Sequence, residues 1–130
     1  MPAAPTDLAA PHLPRAAPIE AYGKGGFRFA GMSHRGSLLC LPDGIWAWPV
    51  AGVAALNEAA LAAILARADA LDIVLIGAGR DPWPLPPTLR ALFHVKHISV
   101  DAMTTGAAIS TYNVLLAEKR RVAAGLIAVE

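Results

Sequence analysis

The sequence predicts an α/β fold: a mostly parallel central sheet flanked by helices, with an additional N-terminal β-hairpin layer that makes three layers. Two observations predict this class. The first third of the chain consists of short strand-like segments separated by glycine-containing turns. The remainder alternates segments of helical periodicity with short continuous apolar runs, which are typical of strands covered on both faces, as in a parallel sheet.

Length and composition support one folded domain with an extension before it. The chain has 130 residues, of which 55% are hydrophobic and 16% charged, so it is near the modal domain size and can bury a core. Residues 1–18 hold five of the eleven prolines and six alanines, but almost no large hydrophobic residue. We therefore predict a disordered Ala/Pro-rich extension over residues 1–18 and a single α/β domain over residues 19–130.

Two predicted hairpins make up the first third of the domain. Their turns lie at residues 24–26 and 42–44, where glycine accepts positive φ and Pro42 presets φ for a turn. Trp46 and Trp48 lie on one face of the last strand, because strand side chains repeat every two residues. We expect that face to pack against the rest of the domain. The predicted strands are residues 19–23, 27–31, 37–41 and 45–49.

Three helices and three further strands are predicted after residue 56. Asn57 is a good N-cap for the first helix, and Pro86 and Pro87 are suited to open the second, since proline fits the first helical turn. The right-handed crossover rule makes the later strands parallel neighbours. In chain order, the predicted elements are helix 57–69, strand 72–76, helix 86–93, strand 95–101, helix 104–120 and strand 125–129.

Charge and cysteine content exclude several classes of function. The formal net charge is +1, which argues against a nucleic-acid partner held by phosphate neutralisation. The basic run at residues 119–121 falls where the last helix ends, and cations there complement the helix dipole. Cys40 is the single cysteine, so no intramolecular disulfide forms, and we expect it to be a buried residue of a strand.

The hydrophobic segments predict neither membrane insertion nor export. No apolar run approaches the ~20 residues that a membrane-spanning helix requires. The N-terminus lacks the charged start and apolar centre of a secretory signal. We therefore expect a cytoplasmic location.

Two predicted loops leave the carboxyl ends of neighbouring strands, which is where ligands bind in open α/β sheets. The second loop runs into a helix N-terminus, where free N–H groups attract anions, and Arg80 is suited to clamp an anion with two hydrogen bonds. In the alternative interpretation, Thr104 or Thr105 caps the helix and the glycines only form turns. The candidate ligand-binding residues in these loops are Gly77, Gly79, Arg80, Met103, Thr104 and Thr105.

Tyr112 and Asn113 complete the candidate site. Asparagine is a mediocre helix former, which indicates a bonding partner for Asn113, such as a neighbouring loop. Tyr112 is placed to direct its hydroxyl toward the crevice. A helix-to-strand boundary separates His94 from His97, and no carboxylate or cysteine accompanies them at the spacing of metal ligands. The sequence thus predicts no catalytic residue, no metal site and no cofactor.

Several motifs, taken in their order and spacing, resemble those of a known family. The chain is similar over residues 19–130 to a small domain of unknown function found in bacteria, archaea and mitochondria, whose members include the mitochondrial respiratory complex I assembly factor three. The motifs are Tyr22-Gly23 with Phe27-Arg28-Phe29, Leu75-Ile76-Gly77-Ala78-Gly79, Met103-Thr104-Thr105-Gly106-Ala107-Ala108, Thr111-Tyr112-Asn113 and the closing segment 118–127.

The resemblance implies a fold, but no established catalytic activity. It implies an α/β arrangement with a mostly parallel central sheet and an extra β layer. Its mitochondrial members are assembly factors, and its bacterial relatives are similar to proteins encoded near preprotein-export genes. Ser110 stands where the family leads us to expect a basic residue, and Ala78 replaces a more usual threonine, so an anion site would be weakened here.

We therefore predict a non-enzymatic protein-interaction or assembly factor, for a membrane-associated complex such as respiratory complex I or the export machinery. The partner is expected to be a protein, with homo-oligomerisation as a further expectation, and neither nucleic acid nor membrane insertion is predicted. The alternative is a small anionic-ligand-binding domain or enzyme that uses the crevice at the strand carboxyl ends.

Overall fold

A computed structural model of the protein describes residues 10–130. Most of the predicted elements are present within that range, with ends that differ by a few residues. The elements are β1 (Ile19–Gly23), β2 (Gly26–Phe29), β3 (Met32–Arg35), β4 (Leu38–Leu41), β5 (Gly44–Ala47), α1 (Glu58–Leu65), β6 (Ile73–Gly77), α2 (Pro87–His94), β7 (Ser99–Met103), α3 (Thr105–Ala117) and β8 (Val122–Leu126).

The larger sheet is mixed, so the prediction of a mostly parallel sheet is wrong. Its strand order is β5-β4-β8-β6-β7. Strand β6 pairs in parallel with both β7 and β8, as the crossover rule predicts, but β4 pairs antiparallel with β5 and β8. The physical reason is that β8 has a second edge, and the second hairpin fills it instead of forming a separate layer.

A three-stranded antiparallel sheet, β1-β2-β3, takes the place of the predicted hairpin layer. Strand β3 was not predicted, because its sequence Met-Ser-His-Arg has no β-branched residue and no Phe, Tyr or Trp. A two-residue turn joins it to β2, with Ala30 and Gly31 at φ of 49° and 76°. Positive φ at both positions matches the twist of a tight hairpin.

Two hydrophobic clusters occupy opposite sides of the larger sheet. On one side, Trp46 and Trp48 pack with α1 and α2. Their exposed fractions are 8% and 4%, which confirms that the tryptophan face points into the domain, and the Trp48 indole N–H donates to the Ala60 carbonyl at 3.0 Å. On the other side, α3 and the three-stranded sheet enclose Phe27 and Phe29.

The chain before β1 makes contact with the domain. Residues 1–9 of the predicted extension lie outside the described residues. Beyond them, Leu13 forms a β-bridge with Ile45 at the edge of β5, with the Ile45 N–H donating to the Leu13 carbonyl at 2.9 Å. Ala17 is buried. This part of the predicted extension therefore covers a strand edge that would otherwise be open.

The helices begin where local chemistry favours them. Asn57 caps α1 as predicted, since its side chain accepts from the Ala60 N–H at 2.9 Å. Pro87 is the first residue of α2. In the part of the chain that the structure describes, no helix is long and apolar enough to cross a membrane.

A side-chain amide ties α3 to the three-stranded sheet. Asn113 Nδ2 donates to the Ile19 carbonyl and Asn113 Oδ1 accepts from the Ile19 N–H, both at 2.9 Å. The expectation of a bonding partner for Asn113 is confirmed, although the partner is a strand and not a loop. The amide pairs with Ile19 as a neighbouring strand would.

Replacing Asn113 with aspartate tests this tie. A carboxylate accepts from the Ile19 N–H but cannot donate to the carbonyl, so Asn113→Asp should lower the free energy of unfolding by about 1–3 kcal/mol. Urea denaturation followed by tryptophan fluorescence measures it. Ser110→Ala, on the exposed side of the same helix, is the control and should change the stability by less than about 0.5 kcal/mol. Equal stability of the two variants would contradict the role given to the amide.

Candidate functional site

The carboxyl ends of β6, β7 and β8 meet at one edge of the larger sheet, because the three strands are parallel. This edge brings together most of the predicted site residues. The loop after β6 and the start of α3 are bonded there, with the Ala78 N–H donating to the Met103 carbonyl at 2.7 Å and the Thr105 N–H donating to the Gly79 carbonyl at 2.9 Å. The predicted crevice is thus a set of loops in direct contact.

Thr105 is the centre of this arrangement. It has no exposed surface. Its hydroxyl donates to the Ile127 carbonyl at 2.7 Å and accepts from the Gly79 N–H at 2.9 Å. One buried side chain therefore joins the loops that follow β6 and β8 to the start of α3, and both of its bonds are within the protein.

Gly77 and Gly79, at the end of β6, are glycines for different structural reasons. A Cβ on Gly77 would lie 3.0 Å from the Thr105 Cα and 3.0 Å from a Leu126 methyl group, so the close approach of α3 to β6 favours glycine there. Gly79 has a φ of +100°, in the region that residues with a Cβ rarely adopt. Both positions serve this turn and its contact with Thr105.

The start of α3 is capped and covered. The Thr104 hydroxyl accepts from the Ala107 N–H at 3.4 Å, so the interpretation of Thr104 as a helix cap is confirmed. The Tyr22 ring lies over Gly106, where a Cβ would overlap the Tyr22 hydroxyl. Ligand binding by Met103, Thr104 and Thr105 stays a prediction.

A second buried hydroxyl, which sequence reasoning missed, acts on the other side of β8. Ser37 is 5% exposed; its hydroxyl donates to the Val50 carbonyl at 2.6 Å and accepts from the Ala128 N–H at 3.0 Å. The available signal was a serine placed between a glycine and the apolar run of β4. A serine that is buried at the start of a strand needs a hydrogen-bond partner for its hydroxyl.

An open cleft of about 440 Å³ lies beyond the end of β8 and the start of β4. Arg80 lies beside it, donating to the main-chain oxygen of Glu130 at 3.0 Å. Arg35, which was not among the predicted site residues, lines the cleft with Glu130. The cleft has a cationic and a carboxylate residue on its walls, and Gly25, Gly36 and Ser37 line it as well.

Tyr112 does not reach this edge. It is fully buried in the cluster between α3 and the larger sheet, and its hydroxyl has no hydrogen-bond partner among the described residues. Burial raises the pKa of Tyr112, and the neighbouring Cys40 thiol raises it further. Cys40 is buried as predicted, and burial raises the pKa of its thiol as well. Both groups stay protonated at neutral pH, so neither is placed for acid–base or nucleophilic chemistry.

Across residues 10–130, no group of three or more His, Cys, Asp and Glu side chains is placed to hold a metal ion. The rings of His12 and His34 lie 4.8 Å apart, and burial followed by the His12 charge lowers the pKa of His34. This pair joins the chain before β1 to strand β3.

Removing the Thr105 hydroxyl tests whether it holds the loops together. Thr105→Val keeps the shape of the side chain but leaves the Gly79 N–H and the Ile127 carbonyl unpaired in a buried place. We expect a loss of about 2–4 kcal/mol in the free energy of unfolding, measured by urea denaturation. Thr105→Ser keeps the hydroxyl and should lose only about 1 kcal/mol. A valine variant as stable as the serine variant would contradict this assignment.

Comparison with known proteins shows similarity along nearly the whole domain. An uncharacterized protein of Rhodobacter capsulatus is 38% identical over 117 residues, which is 90% of this chain and 89% of that protein. The NADH dehydrogenase (ubiquinone) 1 alpha subcomplex assembly factor 3 of Xenopus tropicalis is 28% identical over 109 residues. That match covers 84% of this chain but 60% of the length of the assembly factor.

The fold is also similar to solved structures. The crystal structure of a protein from Bartonella henselae, described as an outer membrane protein, superposes with a TM-score of 0.87 at 50% sequence identity. The match covers 92% of this chain and 100% of that one. The model of a family of proteins of unknown function, DUF498/DUF598, matches residues 19–127. The chain therefore belongs to the DUF498/DUF598 family, whose relatives include a respiratory complex I assembly factor, as the motifs in its sequence indicated.

Proposed function

We propose that this protein is a non-enzymatic assembly factor that acts in the cytoplasm by binding a subunit of a membrane-associated complex. The observation that carries the proposal is the exposed side of α3. None of the thirteen residues of this helix is charged, yet one side of it faces solvent. We call that side the α3 stripe, and it consists of Ala107, Ser110, Val114 and Ala117.

The chemistry of the α3 stripe suits a protein contact. The four residues follow a spacing of three or four, so they line one side of the helix over about 15 Å. Val114 is 57% exposed. A helix that faces only water normally carries charged residues on its outer side, whereas an uncharged side can be buried against a partner without removing charges from water. The partner surface that fits it is apolar and uncharged.

Two further observations support an interaction role. The Thr105 and Ser37 hydroxyls donate to main-chain carbonyls, so both protons stabilise the fold and neither hydroxyl is paired with a base. The similarity to the Xenopus tropicalis assembly factor extends over 84% of this chain. An assembly factor works through its surface and needs no reactive group.

In-cell crosslinking tests the proposal. Tagged protein is purified after crosslinking, and bound proteins are identified by mass spectrometry against an unrelated tagged control. We expect subunits of a respiratory complex or of the export machinery. Val114→Glu should reduce their recovery about tenfold or more, since a carboxylate would be buried without a partner.

The matched control is Val95→Glu. Val95 is 70% exposed at the end of α2, away from the α3 stripe, so its charge should leave recovery unchanged. Recovery of this protein alone, with good crosslinking of the control, would count against the assembly role. Equal recovery with wild type and Val114→Glu would remove the α3 stripe from the proposal.

A second candidate function is binding of a small anion at the strand carboxyl ends. Arg80 favours it, because its guanidinium is exposed beside Gly79 and next to the cleft that Arg35 lines. The Arg80 bond to Glu130 is a single one at the surface, which leaves other N–H groups of the guanidinium for a phosphate or carboxylate.

Thermal unfolding with inorganic phosphate and a panel of small carboxylates tests this second candidate. We expect the melting temperature to rise with the concentration of a bound anion, and Arg80→Ala should abolish the rise. Arg120→Ala, which removes an exposed cation elsewhere, should keep it. If a compound stabilises Arg80→Ala as much as the wild type, Arg80 is not part of an anion site.

A further inference from the structure

Strand β3 presents an open edge. It pairs with β2 on one side, and no strand of residues 10–130 pairs with it on the other. The tight turn at residues 30–31 makes Met32 and Phe29 a hydrogen-bonded pair. Antiparallel ladders alternate between bonded and non-bonded pairs, so His34 bonds to Phe27, and the N–H and C=O groups of Ser33 and Arg35 point away from β2.

A further bond supports this alternation. The Gly36 N–H donates to the Gly25 carbonyl at 2.7 Å, which continues the series of bonded pairs two residues beyond His34. The open edge of β3 is therefore defined by two residues, Ser33 and Arg35. Both side chains are exposed, so solvent reaches the main chain at this edge.

The surface beside this edge carries basic side chains. An open cleft of about 350 Å³ lies on the outer surface of β2 and β3. The residues that line it include Lys24, Arg28 and Arg35. No acidic residue lines it. Among the described residues, none of the three cations has a carboxylate within ion-pair distance, since the ion pairs there are Arg67–Asp43 and Arg121–Asp72. The carboxylate of Glu20 on β1 is engaged by the Gly31 N–H at 2.9 Å.

We propose that an extended acidic segment of a protein partner adds to β3 as a fourth strand. Its main chain bonds to the N–H and C=O groups of Ser33 and Arg35, as in other cases of strand addition to an open edge. Its acidic side chains occupy alternate positions, about 7 Å apart, and lie on the surface that carries Arg28 and Arg35. This inference deepens the proposed function, since it names the chemistry of a partner and rests on the protein acting through protein contacts.

The combination of edge and charge selects a peptide over other anionic partners. A membrane surface or a nucleic acid would be attracted by Lys24, Arg28 and Arg35, but neither offers alternating donors and acceptors at strand spacing. A strand does, and it satisfies the main-chain groups of Ser33 and Arg35 at the same time. An acidic strand would therefore bind both the open edge of β3 and the cations beside it.

The first experiment uses a synthetic octapeptide in which Glu alternates with Thr, and a Lys/Thr octapeptide as the control. Binding to the full chain is followed by fluorescence anisotropy of the labelled peptide. Amide hydrogen exchange is followed by NMR. We expect the acidic peptide alone to bind, more weakly as salt rises, and to slow exchange at the amides of Ser33 and Arg35. The His34 amide already bonds to β2 and should change little.

Two variants separate the edge from the charge. Ser33→Pro removes an outward N–H while leaving the bonds to β2 in place, as proline is tolerated at strand edges. Arg35→Glu reverses one charge. Each should weaken peptide binding about tenfold or more. Arg120→Glu, at an exposed position beyond α3, should leave it unchanged.

Several outcomes overturn the inference. Binding that survives Ser33→Pro, or that leaves exchange at Ser33 and Arg35 unaltered, means that no strand is added. Absence of peptide binding, together with binding to phosphatidylserine vesicles that Arg35→Glu abolishes, assigns the cations to an anionic membrane instead. Failure of one variant to fold leaves the other variant and the exchange data to decide.

The proposed function can fail separately. If crosslinking recovers partner subunits that Val114→Glu loses, but the acidic peptide does not bind, the inference about β3 falls and the assembly role stands. If the peptide binds as described while crosslinking recovers the protein alone, the assembly role falls and the peptide site at β3 stands.

Discussion

Two buried hydroxyl groups hold the segment after β8, and the arrangement of loops at the sheet edge depends on them. Thr105 donates to the Ile127 carbonyl from one side, and Ser37 accepts from the Ala128 N–H on the other. The Ile127 N–H adds a bond to the Gly77 carbonyl at 2.9 Å. Unpaired main-chain groups in this buried place would each cost about 1–3 kcal/mol, so both hydroxyls are needed where they are.

The Thr105 hydroxyl bonds within the protein at the edge of the sheet where the sequence predicts a ligand site. Open α/β sheets commonly bind ligands beyond the carboxyl ends of parallel strands. In this protein the polar atoms at that edge bond one another, and the Tyr22 ring lies over Gly106 at the helix start. The exposed features that remain for contact with a partner lie on the outer surfaces, at Val114 and at the edge of β3.

The mixed sheet decides which strand edges remain open. The pairing of β4 with β8 fills one edge of the parallel strands, and Leu13 covers the outer edge of β5 through its bridge to Ile45. At β1, the Asn113 amide satisfies the main chain of Ile19. The outer edges of β3 and β7 pair with no strand of residues 10–130, although exposed edges are usually protected, and the edge of β3 is the one beside Lys24, Arg28 and Arg35. This difference connects the topology to the proposed contact surface.

Local chemistry and periodicity determined much of this protein from the sequence alone. Asn57 indicated the start of α1. The glycine turns and apolar runs predicted all strands of the larger sheet, with ends within a few residues of the observed ones. The resemblance carried by motifs such as Met103-Thr104-Thr105-Gly106 indicated the family. These features succeed because they depend on neighbours in the chain: a cap, a turn or a strand period is encoded within a few residues.

Only the tertiary structure decided what those elements pair with. Strand β3 was not predicted because its turn and its pairing with β2 stabilise it, whereas its own composition does not favour a strand. The mixed sheet depends on β8 pairing with β4, which lies 84 to 88 residues earlier in the chain. Likewise, Tyr112 was expected near the crevice and is buried beside Cys40, while Ser37 was passed over. The direction of a polar side chain is set by distant main-chain groups that need a partner, and no local pattern records which ones they are.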